Sequence, residues 1–166
     1  MTPEEQFRSL YEQMARLCGE QGWGDPFNYS RSKEIYAATV LGHTVAPTLA
    51  GADAFNQKGE PVEYKSTTAK NPKGSYTGIS VQETWAAQDR YLFEEKLAKY
   101  PEHYYNRFDK TTGKLAESWV LPGDVVYRLL RPKLKKKFFQ PQKDKDPRLK
   151  ASITWGEIKK YGKRII

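Results

Sequence analysis

The chain has 166 residues, which is enough for one compact domain with a real hydrophobic core. Its 28 Lys and Arg residues outnumber 20 Asp and Glu residues, and the resulting net charge of +8 favours an anionic partner such as nucleic acid. A single cysteine, Cys18, excludes an internal disulfide and a cysteine zinc site, and the lack of a long apolar run excludes a membrane-spanning helix.

The N-terminal residues 1–22 predict an amphipathic helix rather than a signal peptide, so we expect a cytoplasmic protein. Thr2 precedes Pro3 and two acidic residues, which is typical of a helix start. We expect the apolar side chains that follow to pack either into the core or against a second copy of the chain, and we expect Cys18 to be buried. These side chains recur at helical spacing: Phe7, Leu10, Tyr11, Met14, Leu17 and Cys18.

A second helix is predicted over residues 32–41, ending at Gly42. Residues 52–56 and 62–67 predict two strands of a hairpin that turns at residues 57–59. Residues 68–78 are polar and predict a loop. Ser80 and Glu83 then form a capping-box pattern, which predicts a helix that reaches about residue 100.

Residues 104–109 and 115–121 predict a second hairpin, joined by a Thr-Thr-Gly turn. A further helix is predicted from Pro122-Gly123-Asp124 and is interrupted or ended near Pro132. Residues 153–166 predict a strand and a short helix. The expected fold is therefore α+β, with a mixed central β-sheet flanked by helices, in a single domain that spans residues 1–166.

The segment 128–150 is strongly basic and interleaved with aromatic residues. We expect it to contact phosphates, which positions a protein on DNA without specifying sequence, although a solvated charged surface is the alternative. Its basic residues are Arg128, Arg131, Lys133, Lys135, Lys136, Lys137, Lys143, Lys145, Arg148 and Lys150.

One short constellation has the composition of a phosphodiesterase site. Glu63 and Lys65 lie two residues apart on a predicted strand, so their side chains point to the same face, and Asp53 precedes them on the partner strand of the hairpin. Two carboxylates and the backbone carbonyl of Tyr64 are oxygen ligands suited to Mg²⁺. Lys65 is then placed to orient a water molecule or take its proton. The alternative is an exposed hairpin with a weak surface ion pair.

Around this constellation the chain resembles the type II restriction endonucleases of the PD-(D/E)xK superfamily. The similarity is gapless over residues 27–74, includes Gly51, Asp53, Glu63 and Lys65, and resumes loosely at Lys143, Asp144 and Pro147 and again at Gly162, Arg164 and Ile165. It implies a restriction-endonuclease-like core over residues 27–80 in which Asp53 and Glu63 bind the metal and Lys65 serves the attacking water. It also implies hydrolysis of double-stranded DNA to a 5′-phosphate and a 3′-hydroxyl, by a homodimer that uses the N-terminal helix for contact.

The base-reading residues of the family do not carry over. Gly78, Ile79 and Ser80 stand where a related enzyme has histidines, Tyr29 stands in place of an acidic residue, and Lys145-Asp146 replaces an asparagine pair. We therefore expect a different target sequence or lower selectivity. The expected DNA contacts lie after the catalytic strand and in the basic segment: Ser66, Thr67, Lys70, Asn71, Lys73, Tyr76, Thr77, Ser80, Lys135, Lys136 and Lys137.

Three other functions compete with a sequence-specific endonuclease. The first is a less specific nicking or structure-specific nuclease on the same core. The second is a basic DNA- or RNA-binding module without catalysis, which has no need of Asp53, Glu63 and Lys65 together. The third is a structural or interaction protein in which the motif is accidental.

Overall fold

The chain divides into two units, Met1–Gly59 and Glu60–Ile166, in the computed structural model, which describes residues 1–28, 30–48, 50–140 and 148–166. The boundary falls inside the segment 27–80 that the sequence predicts as the catalytic core. The interpretation of the chain as a single domain stays a prediction. Tyr29 and, within the basic segment and its flank, Lys143, Asp144, Lys145, Asp146 and Pro147 lie outside the described residues.

The first unit begins with two helices that start and end where local signals predict. Helix α1 (Pro3–Glu20) carries a capping box, because the Thr2 hydroxyl accepts from the Glu5 N–H at 3.2 Å while the Glu5 carboxylate accepts from the Thr2 N–H at 2.7 Å. Helix α2 (Arg31–Leu41) ends at Gly42, whose φ of 70° lies in the left-handed region that glycine adopts without strain.

The apolar stripe of α1 lies largely in solvent. Phe7 is 70% exposed and Leu17 is 50% exposed, and Tyr11 stacks on Phe27 with ring centroids 3.8 Å apart. Cys18 is buried, as predicted. Apart from Cys18, the expectation that the stripe packs into the core is therefore wrong, because the side chains are exposed on the helix surface. Packing against a second copy of the chain stays a prediction.

Two short strands complete the first unit, β1 (Thr44–Val45) and β2 (Ala54–Phe55), and they pair antiparallel. Strand β2 is shorter than the predicted span 52–56, because the residues before it form a bend. The predicted turn is confirmed: the Gly59 N–H donates to the Asn56 carbonyl at 2.9 Å.

The second unit contains a mixed sheet with the strand order β3-β5-β6-β8. Strand β3 is parallel to β5, whereas β5 with β6 and β6 with β8 are antiparallel. Helices α4 and α5 pack against this sheet, so the predicted α+β fold with a mixed sheet flanked by helices is confirmed. The elements are β3 (Pro61–Thr67), β4 (Gly74–Ser80), α3 (Trp85–Tyr91), a π-helical segment (Leu92–Leu97), β5 (Glu102–Phe108), β6 (Leu115–Pro122), α4 (Gly123–Phe138), β7 (Arg148–Ile153), α5 (Trp155–Tyr161) and β8 (Lys163–Arg164).

Three predictions in the second unit are wrong. The loop predicted over residues 68–78 ends early, since β4 forms an antiparallel ribbon with β7. Because Ser80 is the last residue of that strand, it does not cap a helix, and Thr84 is the N-cap of α3 instead. The helix predicted to be interrupted or ended near Pro132 continues through it to Phe138.

The hydrophobic core of the second unit lies where the β4–β7 ribbon, β5, β6 and helix α4 meet. It includes Tyr76 from β4, Tyr105 from β5, Leu130 and Leu134 from α4 and Ile153 from β7. Burial of these side chains is the main force that stabilises the sheet to which β3 belongs. Within the described residues, no helix is long and apolar enough to cross a membrane.

Candidate active site

Strand β3 presents Glu63 and Lys65 together on one face. Val62 and Tyr64, which alternate with them, are 0% and 5% exposed and face the interior. This alternation confirms that Glu63 and Lys65 share one face of β3 and that Val62 and Tyr64 share the other, but the charged face is itself half-buried, because its neighbours His103 and Tyr105 are 0% and 1% exposed. The buried ring also means that Tyr64 has its backbone carbonyl, not its side chain, to offer to the site.

Glu63 and Lys65 form a close ion pair. The Lys65 Nζ lies 2.5 Å from the Glu63 Oε1, and the side chains are 24% and 21% exposed, respectively. A pair of this kind in contact with solvent contributes under about 1 kcal/mol to folding, because attraction is offset by screening and by ordering of two long side chains. The small contribution of this ion pair to stability therefore does not explain why the pair is present.

Aromatic and imidazole groups lie behind this pair. The parallel register places Glu63 beside His103 and Lys65 beside Tyr105, so all four side chains share one face of the sheet. The Lys65 Nζ stands 4.8 Å from the centroid of the Tyr76 ring. Buried polar groups therefore lie next to the predicted site.

The buried groups have shifted acid–base properties. Burial lowers the pKa of His103 to about 4, so the imidazole is neutral near pH 7. Burial and the neighbouring Tyr105 raise the pKa of Tyr76 well above its ordinary value, so its phenol keeps its proton. The sequence gives no sign of His103 or Tyr105 as parts of the site, because the register of a parallel strand pair is not readable from local patterns.

Asp53 belongs to the first unit, where it ends the bend that leads into β2. Its backbone carbonyl accepts a hydrogen bond from the Ala46 N–H at 3.2 Å, and its side chain is partly buried. Glu63 and Lys65 belong to the second unit. The convergence of Asp53 on that pair stays a prediction.

The donor set of β3 fits a hard cation. Glu63 offers a carboxylate on a partly exposed strand face, next to the Tyr64 carbonyl, and hard cations such as Mg²⁺ prefer oxygen ligands. No group of three or more His, Cys, Asp or Glu side chains that could hold a metal occurs in the part of the chain that the structure describes. The predicted site has two carboxylate side chains and one backbone carbonyl, so it is smaller than a group of three such side chains.

The predicted DNA contacts after β3 divide into exposed and buried residues. Lys70, Asn71 and Lys73 are exposed in the connection between β3 and β4. Thr77 and Ser80 are exposed on β4. Thr67 is partly exposed, and its hydroxyl accepts from the Ala69 N–H.

Two of the predicted DNA contacts are wrong. The Ser66 hydroxyl is buried, because Ser66 points to the face of β3 opposite Lys65. Tyr76 is 6% exposed, and its hydroxyl bonds to protein groups. Neither side chain faces solvent in a way that lets it reach a base or a phosphate.

The ribbon of β4 and β7 contains a bulge that turns polar groups outward. The pairing register shifts between Tyr76 and Ile79, and Gly78 has a φ of 67°, in the region that favours glycine. A recess of about 220 Å³ opens there. Its lining residues are Thr77, Gly78, Arg148, Leu149 and Lys150.

Some cations of the basic segment are paired with carboxylates, and others are not. Arg131 bonds to Asp89 at 2.7 Å, and Lys133 bonds to Glu157 at 2.7 Å, so both are matched by carboxylates. Lys135 and Lys136 are exposed near the end of α4. Lys137 is partly buried and donates to the Lys150 carbonyl. Of the basic residues on α4, these last three keep no carboxylate partner among the described ion pairs.

No protein-family description matches the chain, and no curated protein is similar to it.

Proposed function

We propose that the protein is a Mg²⁺-dependent endonuclease that hydrolyses phosphodiester bonds of double-stranded DNA and leaves a 5′-phosphate and a 3′-hydroxyl. The observation that carries this proposal is the partly exposed Glu63–Lys65 pair on one face of β3, with Asp53 ten residues before Glu63 in the sequence. The hydrogen bond of this ion pair stays within one strand, so a chemical role explains it better than a structural one.

The roles follow from the chemistry of each group. Asp53 and Glu63 would hold the metal through carboxylate oxygens, with the Tyr64 carbonyl as a further ligand. When bound, Mg²⁺ supplies positive charge that stabilises negative charge building on the phosphate and favours ionisation of water. Lys65 would orient the attacking water through its ammonium N–H groups, one of which already donates to Glu63.

DNA contact is proposed for surfaces that the structure leaves exposed. Lys70, Asn71 and Lys73 follow the catalytic strand directly, and Thr77 and Ser80 project from β4. These groups are of the kind that reach base edges and phosphates. The end of α4 adds cationic groups for phosphates. They are the exposed Lys135 and Lys136 and the partly buried Lys137, whose ammonium also donates to the Lys150 carbonyl.

A homodimer is the proposed assembly, and the exposed stripe of α1 supports it. Phe7 and Leu17 are at least half exposed, and an apolar surface of this kind is typical of a protein interface. Substituting Phe7 and Met14 together by Glu should convert a dimer to a monomer in analytical ultracentrifugation. A wild-type protein that sediments as a monomer at micromolar concentration would contradict this assembly.

The decisive experiment is incubation of the purified protein with a long DNA of known sequence and Mg²⁺, with Lys65→Ala and EDTA as controls. Discrete fragments that are lost in both controls would support a sequence-specific nuclease. A metal-dependent smear would favour a less specific nicking or structure-specific nuclease.

The second candidate is a DNA-binding module without catalysis. The exposed lysines at the end of α4 favour it, because phosphate binding needs no catalytic group. Intact DNA in the cleavage assay, together with a gel shift that Lys65→Ala does not change, would make this module the better account.

A further inference from the structure

A buried chain of hydrogen bonds runs beneath Lys65. The Tyr76 hydroxyl lies 2.7 Å from the Tyr105 hydroxyl and 2.9 Å from His103 Nδ1, and His103 Nε2 lies 2.8 Å from the Leu97 carbonyl oxygen. His103 is 0% exposed and Tyr105 is 1% exposed. The chain therefore links β4, β5 and the π-helical segment inside the second unit.

The direction of each hydrogen bond in this chain is determined. The Leu97 carbonyl only accepts, so His103 Nε2 carries the proton. Because burial lowers the pKa of His103 to about 4, the ring has no second proton near pH 7, and Nδ1 accepts from the Tyr76 hydroxyl. The Tyr76 oxygen in turn accepts from the Tyr105 hydroxyl. Tyr76 is thus fixed both as a donor and as an acceptor.

A glycine lets the two tyrosines meet. A Cβ on Gly74 would stand 2.2 Å from the Tyr105 ring, a distance that real side chains do not tolerate. With no Cβ there, β4 lies directly on that ring, and Tyr76, two residues further on the same face, reaches the Tyr105 hydroxyl. The glycine at the start of β4 therefore allows the Tyr76 phenol to reach the Tyr105 hydroxyl.

The Tyr76 ring attracts the Lys65 ammonium without occupying the N–H groups of the ammonium. The face of an aromatic ring carries negative charge density, and a phenol that donates to an imidazole becomes richer in electrons. A ring face therefore holds a cation while its N–H groups stay available to other acceptors. Glu63 engages one N–H from the side, and the ring lies 4.8 Å from the Nζ.

We propose that Tyr76 is a positioning residue for Lys65, held in place by His103 and Tyr105. The inference rests on the proposed function, in which Lys65 serves the attacking water. The ring and the Glu63 carboxylate together fix the ammonium, so that its remaining N–H groups meet the water in a constant geometry. Loss of the ring should lower kcat and leave KM unchanged, because DNA binding does not use Tyr76.

The test compares Tyr76→Leu, Tyr76→Phe and the control Tyr104→Leu. Tyr104 is a buried tyrosine of the adjacent strand, but it pairs in register with Tyr64 and lies on the opposite face of the sheet from Lys65. Tyr76→Leu should reduce kcat by about tenfold or more at unchanged KM. Tyr76→Phe keeps the ring and should restore most of that loss. Tyr104→Leu should be destabilised yet keep the wild-type kcat.

A second readout does not depend on cleavage. In protein labelled with ¹³C-lysine, the ε-methylene resonance of Lys65, assigned with Lys65→Ala, should be shifted upfield by the Tyr76 ring. The shift should persist in Tyr76→Phe and vanish in Tyr76→Leu. This measurement also covers the case in which Tyr76→Leu does not fold, because the wild type and Tyr76→Phe suffice to establish the contact.

The outcomes separate the two proposals. A wild-type protein that cleaves no DNA would contradict the proposed function. The chemical shift of the Lys65 resonance would then be the one test of whether the Tyr76 ring contacts Lys65. An unshifted Lys65 resonance in the wild type would overturn the positioning role. So would a folded Tyr76→Leu protein with wild-type kcat, or an equal loss of kcat in Tyr104→Leu.

Discussion

The second unit contains two lysine–glutamate ion pairs that have similar geometry but different roles. Lys65–Glu63 and Lys133–Glu157 have N–O distances of 2.5 and 2.7 Å and are both partly buried. The first joins two residues of one strand. The second joins α4 to α5, and the Lys133 ammonium also donates to the Ser152 carbonyl of β7 at 2.9 Å.

Glu157 has a further structural duty that Glu63 lacks. Its carboxylate accepts from the Thr154 N–H at 2.8 Å and completes the capping box of α5. The Lys133–Glu157 pair is therefore explained by the elements that it ties together. The hydrogen bond between Lys65 and Glu63 stays within β3, and among the described contacts Lys65 reaches another strand through the face of the Tyr76 ring, which is why we assign its charges to chemistry.

The largest expected effect is on cleavage. Lys65→Ala should lower the cleavage rate by about 10²- to 10⁴-fold, because the group that orients or deprotonates water is lost. Lys133→Ala should cleave at the wild-type rate when assayed below its unfolding temperature. Single-turnover cleavage of a supercoiled plasmid measures both. Similar losses in the two variants would remove the distinction between the pairs.

The next effect concerns the three lysines at the end of α4, which have no carboxylate partner among the described ion pairs. Replacing Lys135, Lys136 and Lys137 by Ala should flatten the dependence of log K on log salt by about 2 to 3, since each phosphate contact contributes about 0.9 to the slope. Lys133→Ala should leave the slope unchanged, because its cation is already matched.

A charge-matched control for this binding experiment lies on α5 and β8. Replacing Lys159, Lys160 and Lys163 removes the same number of cations, and all three are exposed. Fluorescence anisotropy titrations at several salt concentrations measure all three proteins. An equal flattening by the control would mean that net charge, rather than the end of α4, governs DNA binding.

The third effect reverses the ranking of the two pairs. Lys133→Ala should reduce the free energy of unfolding by about 1–2 kcal/mol, because it leaves a partly buried carboxylate and a carbonyl without their donor. Lys65→Ala should reduce the same quantity by a smaller amount, about 0.5–1 kcal/mol, because the Lys65 ammonium donates to one carboxylate and contacts the Tyr76 ring face, whereas the Lys133 ammonium donates to a carboxylate and a carbonyl. Urea unfolding followed by tryptophan fluorescence compares them. A larger loss in Lys65→Ala would show that the pair on β3 is structural.

The smallest effect is a pH dependence that belongs to Glu157. Burial acts to raise the pKa of Glu157, but hydrogen bonds from Lys133 and from the Thr154 N–H outweigh it and leave the pKa below its ordinary value of 4.5. A lowered pKa in the folded state means that the carboxylate stabilises the protein above pH 4.5 and loses that contribution as the pH falls further.

Glu157→Gln should therefore be less stable than the wild type at pH 7, and the gap should narrow below about pH 4.5. Thermal unfolding between pH 3 and pH 7 measures this gap. A constant difference across the range would contradict the assignment of the pH dependence to Glu157.

Local signals in the sequence predict the elements that depend on local interactions. Thr2 and Glu5 specify the start of α1, Gly42 specifies the end of α2, and the alternation around Glu63 and Lys65 specifies the faces of β3. In each case the decisive contacts lie within a few residues.

The missed features depend on distant partners. Strand β4 is polar and rich in glycine, and it is a strand because it pairs with β7, so that Ser75 meets Ser152. Helix α4 continues past Pro132, with Arg131 bonded to Asp89 on one side and Lys133 to Glu157 on the other. His103 joins the site through a parallel register with Glu63 that no local pattern encodes.

The burial of Cys18 has a practical consequence for studying the first unit. It is the one thiol in the sequence, it is 3% exposed, and burial raises its pKa, which makes it slow to react with alkylating reagents in the folded protein. A thiol-reactive dye should therefore label the chain only when α1 opens. The labelling rate would report on local unfolding of α1 without any engineered reporter.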